Sequence, residues 1–180
     1  MAGSHKSGID WHDPELFKNA PFIITPTIEA VTDAEEIEKS NELSNSIKKA
    51  VAELKQLVEN IGARAYVISA VEHDKCTAYL SHLPHLLSSA LVNLSEQKKF
   101  KSEFSDLSGG GYRDMTRIAG SSPALWQDII LSNKDNLIEL ISKYQEELEE
   151  LKSSLENNDQ NKIYNFLEKA AEIKNNINKK

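Results

Sequence analysis

The sequence predicts a mainly helical protein whose first part contains one strand–helix–strand unit. Two short β-branched runs flank a long apolar stripe at helical spacing within the first seventy residues. Glycine and proline are scarce, with seven and five among 180 residues, and the second half is rich in Leu, Ile, Glu and Lys, which favour helix. The length is enough for one domain or somewhat more.

Charge and cysteine content restrict the class of protein. The formal net charge of −7 argues against a general binder of nucleic acid or of anionic membranes, although a local pocket could still hold a small anion. The single cysteine, Cys76, cannot form an internal disulfide, so a reducing compartment is expected. Neither an apolar run of about eighteen residues nor a signal-peptide pattern occurs. We therefore expect a soluble cytoplasmic protein.

The first elements follow from local signals. The run "PFIITP" at residues 21–26 predicts a buried strand. In "TDAE", Thr32 and Glu35 form a predicted capping box that opens a helix. Gly62 is expected to end that helix at C′, and "ARAYVIS" then predicts a second strand. The helix carries one apolar stripe: Ile47, Val51, Leu54, Val58 and Ile61.

This strand–helix–strand unit stands alone in the sequence. Two strands and one helix do not make a stable sheet layer. We therefore interpret residues 1–69 as the C-terminal remnant of a larger α/β domain and residues 70–180 as a separate helical domain.

The helical part is marked by further caps. Ser69 and Glu72 form a capping box for a helix to about Gln97. A short helix is expected over residues 114–119, and Ser122 with Pro123 starts another. The segment "ENNDQN" predicts a turn before a final helix. The segment before this turn carries a narrow apolar stripe that resembles a coiled-coil seam and predicts association with another helix or chain. The stripe consists of Leu137, Ile141, Tyr144, Leu148, Leu151 and Leu155.

The stretch "SHLPHLL" has two features that each cost folding free energy. Pro84 within a helix costs about 3 kcal/mol, and imidazoles among leucines need a partner. Pro84 frees the carbonyl of Leu80 and opens a groove. With His73, His82 and His85 inside thirteen residues, the stretch indicates a polar pocket.

A metal site is a weaker interpretation of the same residues. His73, Asp74, His82 and His85 supply suitable ligands. On a straight helix, however, His73 and His82 point to opposite faces, and no HExxH motif or cysteine pair is present. We therefore predict no metal. Each histidine taken alone is more commonly a core or surface residue.

A second candidate stretch is "SGGGYRDMTRIAGSSPALWQDI". Its glycine triplet could bring backbone amides close to an anion, and Arg117 could form a bidentate fork with a carboxylate. Trp126 could form a pocket wall. The plainer alternatives are a flexible loop, a surface charge and a core aromatic residue. In "MAGSHKSGI", His5 suggests an anion-contacting loop, with a disordered terminus as the alternative.

Together the three stretches resemble one family, the prephenate dehydrogenases of tyrosine biosynthesis. The motifs are "MAGSHKSGID", "HDKCTAYLSHLPHLLSSAL" and "GGGYRDMTRIAGSSPALWQDI", in the order and at about the spacing of that family, and the match extends to about residue 155. The resemblance implies oxidative decarboxylation of prephenate to 4-hydroxyphenylpyruvate, with hydride transfer to NAD. It also implies a Rossmann-type cofactor domain followed by a helical domain that forms a homodimer.

The resemblance also implies roles for particular residues. Arg117 matches an arginine that grips a prephenate carboxylate, and His85 faces the pyruvyl side of the substrate. These two are the implied catalytic residues. Asp114 matches a residue that can reach the neighbouring subunit's site. The implied substrate-binding set is His5, His73, Asp74, His82, His85, Gly110, Asp114, Arg117 and Trp126.

Two features of the family are missing from the sequence. The family's main catalytic histidine lies in a His-Pro pair directly before "MAGS", that is, before Met1, and no GxGxxG motif is present. We therefore expect this chain alone to be inactive, and we assign no residue to NAD. Two alternatives remain open: a dehydrogenase acting on arogenate, which has an amino group in place of the keto oxygen, and a helical dimerisation module without a ligand.

Overall fold

A computed structural model describes residues 15–26, 34–97 and 107–177. The predicted mainly helical fold is confirmed. The elements are β1 (Pro21–Ile24), α1 (Ala34–Asn60), β2 (Arg64–Val67), α2 (Ala70–Thr77), a π-turn (Ala78–His82), α3 (Leu83–Gln97), α4 (Gly110–Thr116), a 3-10 helix (Arg117–Gly120), α5 (Pro123–Ser132), α6 (Lys134–Glu156) and α7 (Gln160–Ile177). No described helix is long and apolar enough to cross a membrane.

The chain divides into two compact units, residues 1–75 and 76–180. In the first unit β1 and β2 pair in parallel, with Pro21 opposite Arg64, and α1 connects them. Ile24 and Val58 are buried, but Phe22 and Ile23 are 37% and 43% exposed. The prediction of a buried strand is therefore wrong for most of β1, because in the described residues the sheet has only two strands.

The end of α1 follows the predicted cap. Gly62 has φ of +81°, a conformation that favours glycine. Its N–H donates to the carbonyl of Glu59 at 3.0 Å, and the N–H of Ala63 donates to the carbonyl of Val58 at 3.1 Å. These two bonds form a Schellman motif and confirm Gly62 at C′. The predicted cap residue Thr32 lies outside the described residues.

The capping box at Ser69 is confirmed. Glu72 N–H donates to Ser69 Oγ at 3.2 Å, and Ser69 N–H donates to Glu72 Oε2 at 3.1 Å. The helix that begins here runs to Gln97 as predicted, but with a π-turn at Ala78–His82.

The π-turn is the form that the predicted kink takes. In it the N–H of Leu83 donates to the carbonyl of Ala78, five residues back. Pro84 follows immediately. Its ring would clash with the Leu80 carbonyl in a regular helix, and it has no N–H to donate. The wider turn accommodates both effects, and such turns are frequent at functional sites.

The core of the second unit lies beside this turn. Ala78, Leu83 and Leu137 are 0%, 7% and 2% exposed and pack together, so the π-turn, α3 and α6 share one apolar cluster. Partly buried side chains surround them: Leu86, Leu87, Ile130, Leu140 and Ile141.

The remaining helices differ in part from the prediction. Helix α4 begins at Gly110, so the glycine triplet forms the start of a helix, with Gly109 extended at its N-cap. The alternative of a flexible loop at the triplet is therefore excluded, and the predicted helix start at residue 114 is four residues too late. Ser122 and Pro123 begin α5 as predicted. Along α6 the predicted seam is buried at Leu137, whereas Leu155 is 56% exposed.

Candidate functional site

The second unit contains a stacked pair of rings, His85 from α3 and Trp126 from α5. Their centroids are 3.5 Å apart and their planes differ by 7°. His85 is 5% exposed, and Trp126 is half-buried. Because Pro123 fixes the first turn of α5, Trp126 is held where it can cover the imidazole face. The pair forms one wall of a candidate pocket.

His82, in the π-turn, meets the same indole from another direction. Its ring centroid lies 6.2 Å from that of Trp126, at an interplanar angle of 85°. Its Nδ1 lies 3.3 Å from Nδ2 of Asn133, which is 7% exposed. The structure thus brings together three of the sequence-predicted site residues, His82, His85 and Trp126. It adds Asn133, which sequence reasoning missed because no local signal pointed to it.

Two buried polar atoms on α3 have no hydrogen-bond partner among the described residues. They are Nδ1 of His85 and Oγ of Ser88. The two residues are three positions apart and therefore lie on one helix face. A buried polar atom without a partner costs about 1–3 kcal/mol, so this face is suited to a bound polar group. Ser88 was not singled out from the sequence, although its spacing from His85 was a usable signal.

Burial lowers the pKa of His85 below its ordinary value, since desolvation penalises the imidazolium. The ring is therefore neutral at physiological pH, and its face packs against Trp126 without a charge.

This shift predicts a pH dependence of stability. His85 takes up a proton more readily in the unfolded chain, so the free energy of unfolding should fall as pH drops below the ordinary histidine value of about 6.5, by at most about 1.4 kcal/mol per pH unit. Urea unfolding across pH, compared with His85→Gln, would isolate this contribution. Loss of the stacking should lower the free energy of unfolding of His85→Gln by the same amount at every pH. The decrease of that free energy with falling pH should be smaller in the variant. Equal slopes would contradict the prediction.

Arg117 lies in the 3-10 helix, which packs on α3. It is exposed, and no hydrogen bond or ion pair joins it to another described residue. Arg113, one turn earlier, differs: its Nε and Nη2 donate to the Ser108 carbonyl at 3.1 and 2.7 Å. Arg117 is thus the arginine of this segment whose guanidinium is available to an anion.

Four other predicted site residues lie in the described part of the chain. Gly110 and Asp114 are exposed on α4. His73 and Asp74 belong to the first unit, where His73 Nδ1 lies 3.0 Å from Asp74 Oδ1. That these four residues share a site with the stacked rings stays a prediction.

The predictions for the N-terminal stretch fall outside the described residues. His5 is the expected anion contact, and Met1 is the residue directly before which the family's catalytic histidine is implied. Both assignments stay predictions, because the description begins at residue 15.

No group of three or more potential metal-ligating side chains occurs in the described part of the chain. A groove of about 780 Å³ between α6 and α7 is lined by eleven residues, among them four glutamates and two lysines, and it contains none of the predicted site residues. Its acidic lining is unsuited to an anionic ligand, so the polar face of α3 remains the better candidate site.

Comparisons with known proteins define the class of the helical part first. Residues 69–169 match the family described as "Prephenate dehydrogenase, dimerization domain". The helical region therefore matches the dimerisation domain of that family. The chain belongs to the prephenate dehydrogenase family.

Individual relatives agree with that assignment. The chain is 32% identical to a prephenate dehydrogenase of Bacillus subtilis over 98% of its own length, and 33% identical to one of Lactococcus lactis over 97%. It spans 44% and 43% of these relatives, which is less than half of each.

Solved structures give the same family. The crystal structure of Synechocystis arogenate dehydrogenase is similar at a TM-score of 0.76 and 26% identity, covering 98% of this chain and 59% of that one. Prephenate dehydrogenase from A. aeolicus, in complex with hydroxyphenyl propionate and NAD+, is similar at a TM-score of 0.73 and 28% identity, covering 98% and 57%.

Proposed function

We propose that this chain is the substrate-binding and dimerisation portion of an NAD-dependent prephenate dehydrogenase, which converts prephenate to 4-hydroxyphenylpyruvate in cytoplasmic tyrosine biosynthesis. Residues 1–69 then belong to the cofactor domain and residues 70–180 to the helical domain. The names of the curated relatives support the activity. The exposed Leu148 and Leu155 on α6 support association of two copies through the helical domain.

The observation that carries the proposal is the buried His85 imidazole. It is stacked on Trp126, and its Nδ1 has no partner among the described residues. The adjacent 3-10 helix presents the guanidinium of Arg117. Prephenate carries two carboxylates, a keto oxygen and a ring hydroxyl. An apolar wall with polar groups at its edge and one arginine suits such a ligand.

The residue roles follow from this placement. Arg117 binds a carboxylate as a bidentate fork, and His85 and His82 contact the pyruvyl side chain. Trp126 forms the pocket wall. His85 and Arg117 are the catalytic residues that this chain contributes, because they fix the orientation of the reacting ring. The remaining proposed contacts are His5, His73, Asp74, Gly110 and Asp114.

The described residues do not fit NAD. The chain has no GxGxxG motif, and the described two-strand sheet provides no glycine-rich turn that would cradle a pyrophosphate. In the full enzyme NAD would supply the hydride acceptor, and no residue of this chain is assigned to hold it. Loss of carbon dioxide is then driven by aromatisation of the ring, so the share of this chain is binding and orientation.

Arogenate is a less favoured substrate, because the curated relatives named above are prephenate dehydrogenases, although one similar structure is an arogenate dehydrogenase. It differs from prephenate by an amino group beside the proposed histidine contacts. A neutral His85 can accept a hydrogen bond from that amino group, so affinity must be measured for both ligands.

Thermal unfolding with added ligand tests the proposal without requiring turnover. Prephenate should stabilise the 180-residue chain, by about 2.7 kcal/mol at one hundred times its dissociation constant. Arogenate should stabilise it less, and succinate, a dicarboxylate without the ring, should have little effect. Greater stabilisation by arogenate would reassign the substrate. The absence of any shift would favour a dimerisation module without a ligand.

A further inference from the structure

Asn133 occupies the junction between α5 and α6. Its N–H donates to the Ile130 carbonyl at 3.3 Å, and its own carbonyl accepts the N–H of Leu137 at 3.2 Å. The residue is 7% exposed. Because both helices fix its backbone, its side chain is held in the interior. There it reaches His82, which is fifty-one positions away in the sequence.

The orientation of the Asn133 amide follows from a second asparagine. Nδ2 of Asn136 donates to Oδ1 of Asn133 at 2.7 Å. Oδ1 is therefore the acceptor in that bond, and the Nδ2 of Asn133 is the atom that faces His82 Nδ1 at 3.3 Å. An amide NH2 group donates and does not accept. With the Asn133 amide in this orientation, Nδ1 of His82 accepts from Nδ2, and the ring hydrogen is on Nε2.

We propose that Asn133 and Asn136 are positioning residues that hold His82 neutral, with its hydrogen on Nε2. An imidazolium, or a ring with hydrogen on Nδ1, would set an N–H against the NH2 group of Asn133. The edge-on contact with Trp126 further restricts the ring, at 85° between planes. The functional meaning rests on the proposed function: His82 then has one fixed tautomer and ring orientation, which need no reorganisation when the ligand binds.

Long-range proton–nitrogen NMR on the full chain with 15N-labelled histidine reads this tautomer directly. At mildly alkaline pH the His82 signals, assigned by their loss in His82→Gln, should show hydrogen on Nε2. Hydrogen on Nδ1 in the unsubstituted chain would overturn the proposal. This measurement needs no ligand, so its result is independent of whether prephenate binds.

Two isosteric substitutions should reverse the tautomer. In Asn136→Asp the introduced carboxylate accepts from Asn133, so the Asn133 amide turns and presents Oδ1 to His82. In Asn133→Asp a carboxylate faces Nδ1 directly. Both should place a hydrogen on Nδ1. Asn157→Asp makes the same charge change at the end of α6, where the Asn157 side chain donates to the Ser153 carbonyl, and it should leave the tautomer unchanged.

The variants also separate a positioning role from a structural one. Asn136→Asp should retain cooperative unfolding and yet bind prephenate several-fold more weakly. A His82 ring that has no hydrogen on Nδ1 in either folded aspartate variant would overturn the proposal. A reversed tautomer with unchanged prephenate affinity would overturn the role of the His82 tautomer in binding. If either variant fails to fold, the NMR spectrum of the unsubstituted chain is sufficient by itself to test the proposed tautomer.

Discussion

Replacing Arg117 with alanine is expected to weaken prephenate binding about 10- to 100-fold. A charge-assisted hydrogen bond to a carboxylate contributes about 1.5–3 kcal/mol, and a bidentate fork is at the strong end of that range. The Arg117 guanidinium makes no hydrogen bond or ion pair within the described residues, so its removal should leave the folded chain intact. The loss should therefore appear in affinity and not in the stability of the free chain.

Isothermal titration of prephenate into the variants measures this effect. Arg117→Lys should bind with intermediate affinity, because it keeps the charge and loses the fork. Arg113→Ala is the matched control: it removes the same charge from the preceding turn, where the guanidinium is engaged by the Ser108 carbonyl. We expect at most about a two- to threefold change there, in keeping with a surface charge. An equal loss of prephenate affinity in both alanine variants would indicate a general effect of positive charge. It would contradict a specific contact between Arg117 and a carboxylate.

The features that could be predicted from sequence are those set by local chemistry. The bonds that define the Ser69 capping box and the Gly62 cap join residues within five positions of each other, so the residue types alone indicated them. Pro84 likewise indicated an irregular helix. The form of this irregularity, a π-turn, depends on how Ala78 and Leu83 pack against α6. The residues near Pro84 in the sequence do not indicate that packing.

Long-range features could not be predicted. The sequence identified His82, His85 and Trp126 as candidates, but it gave no reason for one indole to stack on one imidazole and meet the other edge-on. Nothing local to Asn133 indicated its contact with His82, because the two residues are fifty-one positions apart. The burial of β1 was overestimated for a related reason: an apolar run indicates that a strand could be buried and cannot tell which neighbours cover it.

The largest expected effect on stability is that of Leu137→Ala. Leu137 is 2% exposed and packs with Ala78 and Leu83, beside the turn that carries His82. Truncating such a leucine removes apolar burial and leaves a cavity, which costs about 2–5 kcal/mol. We expect about 3 kcal/mol, since the neighbouring side chains of the cluster limit how far the site can collapse.

Urea unfolding of the free chain measures this loss, with the midpoint lowered and the slope unchanged if folding remains two-state. Ile138→Ala is the matched control on the same helix, because Ile138 is 61% exposed, and it should change stability by less than about 1 kcal/mol. A similar loss in both variants would mean that Ile138 is covered in solution by a second copy, which a dependence of its unfolding on protein concentration would show. A loss below about 1 kcal/mol for Leu137→Ala would contradict the core described here, and with it the rigid support on which the placement of His82 depends.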